Sequence, residues 1–294
     1  MIRPRRSVLY MPGSNARALE KARSLPADAV ILDLEDAVAP DAKDLARRQV
    51  VEAVSAGGFG DREVVVRVNA LAGPWGEDDL AAVAPVGPDA ILVPKVDEAE
   101  GVFEVARRLG RLGAPAHTQI WVMIETPRAV LDPYAIAAAK DEDLGRRLAS
   151  FVMGTNDLAK ETRARLVPGR APMLGWLANS VAGARAFGLD IVDGVYNALD
   201  DAAGLEAECA QGRDLGMDGK TLIHPNQIEA ANRVFAPGEA EVAAARAIVA
   251  AFEAPENRAK GAIAIGGRMV ERLHADIAAR TVALAEAIAA RTAG

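Results

Sequence analysis

Acidic, basic and amide side chains recur at one kind of position in this chain, at the end of a short apolar run. Asp33, Glu35 and Asp36 close AVILDLED, Arg67 and Asn69 close VVVRVN, and Lys95 closes ILVPK. Glu125 closes VMIE, Asn156 and Asp157 follow SFVMGT, and His224 follows KTLI. If these runs are strands of one sheet, their ends converge, and Glu125 and Asp157 present hard oxygen donors from neighbouring strands. Two carboxylates so placed repel, and a divalent cation relieves the repulsion. Mg2+ suits the set, because it takes one or two carboxylates and completes an octahedral shell with water and substrate oxygens. The alternative is a structural ion network in which Lys95 and Arg67 neutralise the same pair. Zinc is disfavoured, since His117, His224 and His274 lie at no ligand-like spacing and Cys209 is the single cysteine.

Arg67 offers a planar fork of donors suited to a substrate carboxylate or a developing enolate, whereas Lys95 offers a compact charge. Either also suits a buried counter-ion for Glu35 and Asp36. In YMPGSNARALEKA, Pro12 and Gly13 make a turn, and Ser14 or Asn15 caps the helix that follows. Arg17 and Lys21 then share one face at i, i+4, a phosphate clamp in outline or a solvated basic face. A serine nucleophile lacks its G-x-S-x-G elbow, and Cys209 falls within an expected helix.

The runs themselves are strands by composition: from Ser7, Ala29, Glu63, Ala90, Ile120, Ser150, Asp190 and Lys220, about eight in number. Between them, stretches such as Pro40 to Val54, Asp97 to Leu109, Pro172 to Phe187 and Ala202 to Leu215 carry apolar residues at helical spacing. Eight βα repeats close a parallel (β/α)8 barrel, in which catalytic groups come from the C-terminal strand ends. An open doubly wound sheet reads similarly, but no G-x-G-x-x-G follows an early strand. The barrel is expected over residues 1–236. Residues 237–294 are expected to add a helical extension, with helices over Gly238 to Glu256 and Val270 to Arg291 and a loop from Asn257 to Gly267. That extension caps the barrel, mediates oligomer contacts or acts as a lid.

Length and composition fit an ordinary globular enzyme: 294 residues, 51% hydrophobic and 26% charged. The net charge of -7 argues against a nucleic-acid surface. No apolar stretch approaches the roughly 18 residues that a membrane span needs. One cysteine, and a start that runs from MIRPRR into a strand, predict a soluble protein of the reducing cytoplasm.

The stretches RSVLYMPGSNARALEKA, VILDLEDAVAPDAK, VVRVN, ILVPKV, VMIETPRAV, FVMGTNDLA and GKTLIHPNQI occur in order from Ser7 to about Val234. Together they resemble the citrate lyase β-subunit/malyl-CoA lyase family of Mg2+-dependent barrel aldolases. The resemblance implies Mg2+ on Glu125 and Asp157 and a substrate-facing Arg67. It also implies coenzyme A contacts at Tyr10, Arg17, Lys21, Ile223 and His224; Lys95, from its own place at a strand end, is read as a further substrate-side cation or a counter-ion. Family members resemble homotrimers or homohexamers whose C-terminal segment completes an adjacent site. VMGTNDLAKE, IVDGVYNA, GRDLGMDGKTLIHP and GGRMVERLH are most similar to the malyl-CoA thioesterase branch.

The tail carries the discriminating detail. The family's C–C lyases place an aspartate where this chain has Glu271, and one extra methylene displaces the acid enough to cost on the order of a hundredfold in rate. The expected reaction is therefore hydrolysis of a 3-hydroxy-dicarboxyl-CoA thioester such as (S)-malyl-CoA, with Glu271 or a strand-end carboxylate such as Asp36 as base. The alternatives are malyl-CoA or citramalyl-CoA cleavage to a 2-oxo acid and acyl-CoA, and a citrate lyase β-like subunit that needs an acyl-carrier partner.

Overall fold

Runs such as AVILD and WVMI put apolar side chains on both faces of an extended chain, which is stable only when both faces are covered. In the computed structural model, which describes residues 2–292, the described residues contain eight such strands in one closed, all-parallel barrel in chain order. They are β1 (Ser7–Pro12), β2 (Ala29–Asp33), β3 (Glu63–Arg67), β4 (Ala90–Val93), β5 (Gln119–Ile124), β6 (Leu148–Met153), β7 (Asp190–Asp193) and β8 (Gly219–Leu222). Pairing of Ser7 with Lys220 and Val8 with Thr221 closes the ring. The (β/α)8 expectation holds.

The helices are α1 (Ala16–Ala22), α2 (Lys43–Ala56), α3 (Gly76–Val83), α4 (Ala99–Arg111), α5 (Pro127–Leu131), α6 (Pro133–Ala138), α7 (Thr155–Thr162), α8 (Leu174–Ala186), α9 (Ala202–Asp214) and α10 (Ile228–Val234). Their local causes are legible. Asn15 caps α1 by accepting from the Ala18 N–H. The amphipathic α4 buries Val102, Val105, Ala106 and Leu109, the i, i+3, i+4, i+7 stripe, and ends with Arg108 and Arg111 in its last turn.

Strand side chains alternate between the interior and the helix layer. Val8, Ile31, Val65, Leu92, Trp121, Met123, Val152 and Val192 fill the core. The same alternation carries Asp33, two residues beyond Ile31, and Arg67, two beyond Val65, into the interior at the C-terminal strand ends. At the opposite end, Arg5 donates to both oxygens of Glu63 at 2.7 Å, bonds Asp190 and lies 4.8 Å from the Trp121 ring centroid. That plug closes the barrel floor with a buried ion pair whose lone pairs are met.

Arg5–Asn232 form one compact unit, and the described residues outside it form a second. The second unit holds α11 (Glu239–Glu253), β9 (Ala262–Ile265), β10 (Arg268–Glu271) and α12 (Arg272–Thr292). The expected loop from Asn257 and helix from Val270 need correction: β9 and β10 pair antiparallel, and the helix begins at Arg272. Gly266 and Gly267, at φ 56° and 78°, supply the two left-handed positions that a tight hairpin turn requires.

Barrel closure is tight at Gly219, where an added Cβ would lie 1.8 Å from the Arg5 carbonyl oxygen. Gly219→Ala is therefore expected to lose about 1–3 kcal/mol. Urea unfolding checks this as a lower midpoint at unchanged slope.

Candidate active site at the C-terminal strand ends

Register decides the first part of the site. Asp33 and Arg67 are paired positions of β2 and β3, and the guanidinium donates from Nε and Nη2 to the two Asp33 oxygens, both at 2.7 Å. Its Nη1 stands 2.7 Å from Glu35 Oε2 and 3.6 Å from Asp36, and the Tyr10 ring centroid lies 4.7 Å from Cζ. Asp33 also accepts the Glu35 and Ala37 N–H groups, which wraps the loop after β2 around its carboxylate. Arg67 is thus a buried counter-ion for the acidic loop and also a wall of the pocket. Burial pushes the Glu35 carboxyl up to about 8, with Arg67 opposing and the charges of Asp36, Glu125 and Asp33 adding to the rise. Burial also raises the Tyr10 hydroxyl.

Behind this loop is a residue that sequence reasoning passed over. Lys43, buried at the start of α2, donates to the Leu34 and Glu35 carbonyls at 2.7 Å and to Asn69 Oδ1 at 2.8 Å. A lysine in DAVAPDAK reads as an exposed helix residue. Only the fold turns it inward.

The second part lies over β4, β5 and β6. Gly154 follows β6, its N–H donates to the Ile124 carbonyl at 3.0 Å, and Glu125 follows Ile124 on β5. Asp157 and Asn156, expected at a strand end, instead occupy the first turn of α7, because β6 stops at Met153 and Gly154 opens the helix. Lys95 reaches both carboxylates, with its ammonium 2.5 Å from Asp157 Oδ1 and 3.6 Å from Glu125 Oε1. Burial raises the Glu125 carboxyl and the charge of Asp157 adds to this, while Lys95 opposes it. Burial lowers the Lys95 ammonium, but its bond to Asp157 and the nearby acids outweigh this and leave it raised.

Asp33, Arg67, Asp36, Thr155 and Asp157 line one cavity of about 300 Å3, with Tyr10 and Ile223 also on its wall. Thr155 is buried, and its hydroxyl makes no hydrogen bond among the described residues. The N–H groups of Thr155, Asn156 and Asp157 open α7 and have no intrahelical acceptor. Asp36 is 70% exposed.

Other predicted residues are less engaged. Arg17 and Lys21 are exposed on α1 and form no ion pair among the described residues. His224 accepts the Asn226 N–H through Nδ1 and caps the turn after β8. Glu271 ends β10 in the second unit, and its N–H donates to His274 Nδ1 at 3.0 Å.

The donor set fits Mg2+. A cation, the Lys95 ammonium, already lies in reach of both carboxylates, and Thr155 adds a neutral oxygen to the cavity that Asp157 lines. Among the described residues no group of three or more His, Cys, Asp and Glu side chains is arranged for a metal.

Two outcomes follow. An added Cβ at Gly154 would lie 2.3 Å from Glu125 Cβ and 2.7 Å from its Oε2, so Gly154→Ala is expected to cost roughly a hundredfold in kcat/KM, measured by steady-state kinetics. Because Glu35 is raised from 4.5 to about 8 in the folded protein, its contribution to stability is full below about 4.5 and is lost as pH rises through about 8. Thermal unfolding from pH 6 to 9 is expected to show wild type falling relative to Glu35→Gln.

Residues 6–225 match the family model HpcH/HpaI aldolase/citrate lyase. A (3S)-malyl-CoA thioesterase of Cereibacter sphaeroides is 50% identical over 287 residues, 98% of this chain and 96% of that protein. The citrate lyase subunit beta of Escherichia coli K12 is 35% identical, covering 92% of this chain and 89% of that protein. Among solved structures, the CitE protein of Mycobacterium tuberculosis in complex with magnesium, acetoacetate and coenzyme A superposes with a TM-score of 0.74. It is 28% identical, over 95% of this chain and 98% of that one. Given these matches and the closed barrel, the chain belongs to the HpcH/HpaI aldolase/citrate lyase family.

Proposed function

We propose that this protein hydrolyses a short 3-hydroxydicarboxyl-CoA thioester, with (3S)-malyl-CoA as substrate and malate and free coenzyme A as products, and that it uses Mg2+. The observation that carries the reading is identity of 50% to a (3S)-malyl-CoA thioesterase across nearly the whole of both chains. Magnesium and coenzyme A in the related CitE structure support the cofactor and the thioester class.

Glu125 and Asp157 would hold Mg2+, which when bound supplies a Lewis acid for the substrate's oxygens. The free N–H groups at the start of α7 and the Thr155 hydroxyl bind the substrate carboxylate, as a helix N-terminus does. Arg67, kept cationic by Asp33, stabilises negative charge on the thioester oxygen. Asp36 takes a proton from the attacking water as the new C–O bond forms. When the C–S bond breaks, that proton passes to the departing thiolate. Glu271, in the second unit, is the other candidate base. We read the protein as a cytoplasmic homotrimer or homohexamer.

A lyase reading is favoured by one observation, the 35% identity to a citrate lyase subunit beta. The Mg2+ that Glu125 and Asp157 would hold, together with Arg67, would then stabilise an enolate, with Glu271 returning its proton.

The deciding assay incubates the enzyme with malyl-CoA and Mg2+ and follows free thiol, malate and glyoxylate together. Thiol and malate are expected in equal amounts without glyoxylate, and glyoxylate in proportion to substrate lost rejects hydrolysis. Glu125→Gln and Asp157→Asn are each expected to lower kcat by on the order of a hundredfold or more. Glu271→Asp is expected to gain glyoxylate formation.

A further inference from the structure

Lys95 stands two residues beyond β4 with φ 55°, a left-handed conformation that a non-glycine side chain adopts at a cost and that clusters at functional sites. The conformation has a visible use. It aims the Lys95 N–H at Glu125 Oε1, 2.9 Å away, while the side chain runs to Asp157 Oδ1 at 2.5 Å. One residue thus spans both carboxylates, and its ammonium also lies 3.6 Å from Glu125 Oε1 and 3.5 Å from Glu161 Oε1.

The partners differ in freedom. The Glu125 side chain is 1% exposed and cannot follow a departing cation, whereas that of Lys95 is 34% exposed and can move toward water. Glu161 lies one turn of α7 beyond Asp157, at i, i+4, and offers the ammonium a next partner. A dication bound to Glu125 and Asp157 sits about 2.0–2.1 Å from their oxygens. It strongly repels an ammonium that shares those atoms.

We propose that Lys95 is a built-in counter-ion that competes with Mg2+ for Glu125 and Asp157: it holds the two carboxylates together before the metal arrives, moves to Glu161 as the metal binds, and so sets the metal affinity. The inference rests on the reading that this pair holds Mg2+. It makes Lys95 a positioning residue, distinct from the substrate cation that the sequence left open.

Two experiments test it. Chelator-stripped wild type and Lys95→Met are titrated with Mg2+ by calorimetry, and their thermal midpoints are read in EDTA. Lys95→Met is expected to bind Mg2+ about tenfold more tightly and to unfold at a lower temperature than wild type in EDTA. Equal or weaker binding by the variant overturns the inference alone, while absence of binding by both proteins overturns the metal reading and the inference with it. The second experiment needs no variant: wild type is labelled with an acetylating reagent and its lysines are followed by mass spectrometry. Mg2+ is expected to speed labelling of Lys95 severalfold while leaving Lys21 unchanged. An unchanged or slower rate at Lys95 overturns the inference.

Discussion

The guanidinium of Arg67 carries the acidic end of this barrel. It neutralises Asp33, touches Glu35 and approaches Asp36, and Asp33 in turn organises the loop that presents the other two. A buried ion pair contributes little net stability when both partners are present, but loss of one strands an uncompensated charge. The pair is therefore better understood as a device for fixing geometry. Lys43 reinforces it from behind by bonding the carbonyls of Leu34 and Glu35.

Positive charge is short at this end. Among the described residues, Asp33, Glu35, Asp36, Glu125, Asp157 and Glu161 meet only Arg67, Lys95 and, behind the loop, Lys43. The imbalance has two physical outlets. Glu35 holds its proton to about 8, and the Glu125–Asp157 pair attracts a cation. In the proposed hydrolysis both outlets would serve a thioester oxygen that gains negative charge and a proton that must be held nearby. The acid pair does not select between hydrolysis and C–C cleavage, since each would pass through an oxyanion that the cation held by the pair, and Arg67, would stabilise. Selection falls to a correctly placed acid, and in this proposal that makes the length of the Glu271 side chain matter.

Much of this was legible in the residues. Eight β-branched runs, the helical spacing between them and the polar residue after each run point to a barrel with its chemistry at one end. Less legible was the backbone. Gly266-Gly267 is a hairpin signal hidden between alanine-rich helices, and Val270 was drawn into helix by its neighbours. Asp157 belongs to a helix N-terminus because Gly154 ends β6, and a glycine there is required by the approach of Glu125, a contact between residues 29 apart in sequence.

Amino-acid types and their periodicity by themselves determined the element order, the apolar interior and which end would hold the acids, since these depend on side-chain chemistry and spacing along one strand or helix. Which acids share which cation was settled only by tertiary structure. Arg67 faced two futures in the sequence, substrate fork or counter-ion, and the β2–β3 register made it the partner of Asp33 while leaving it on the pocket wall. Lys95 was likewise open between substrate cation and counter-ion, and a left-handed backbone placed it on Glu125 and Asp157. Coulombic partners are chosen at distances of a few ångströms, and such distances between separate strands exist only once the barrel has closed.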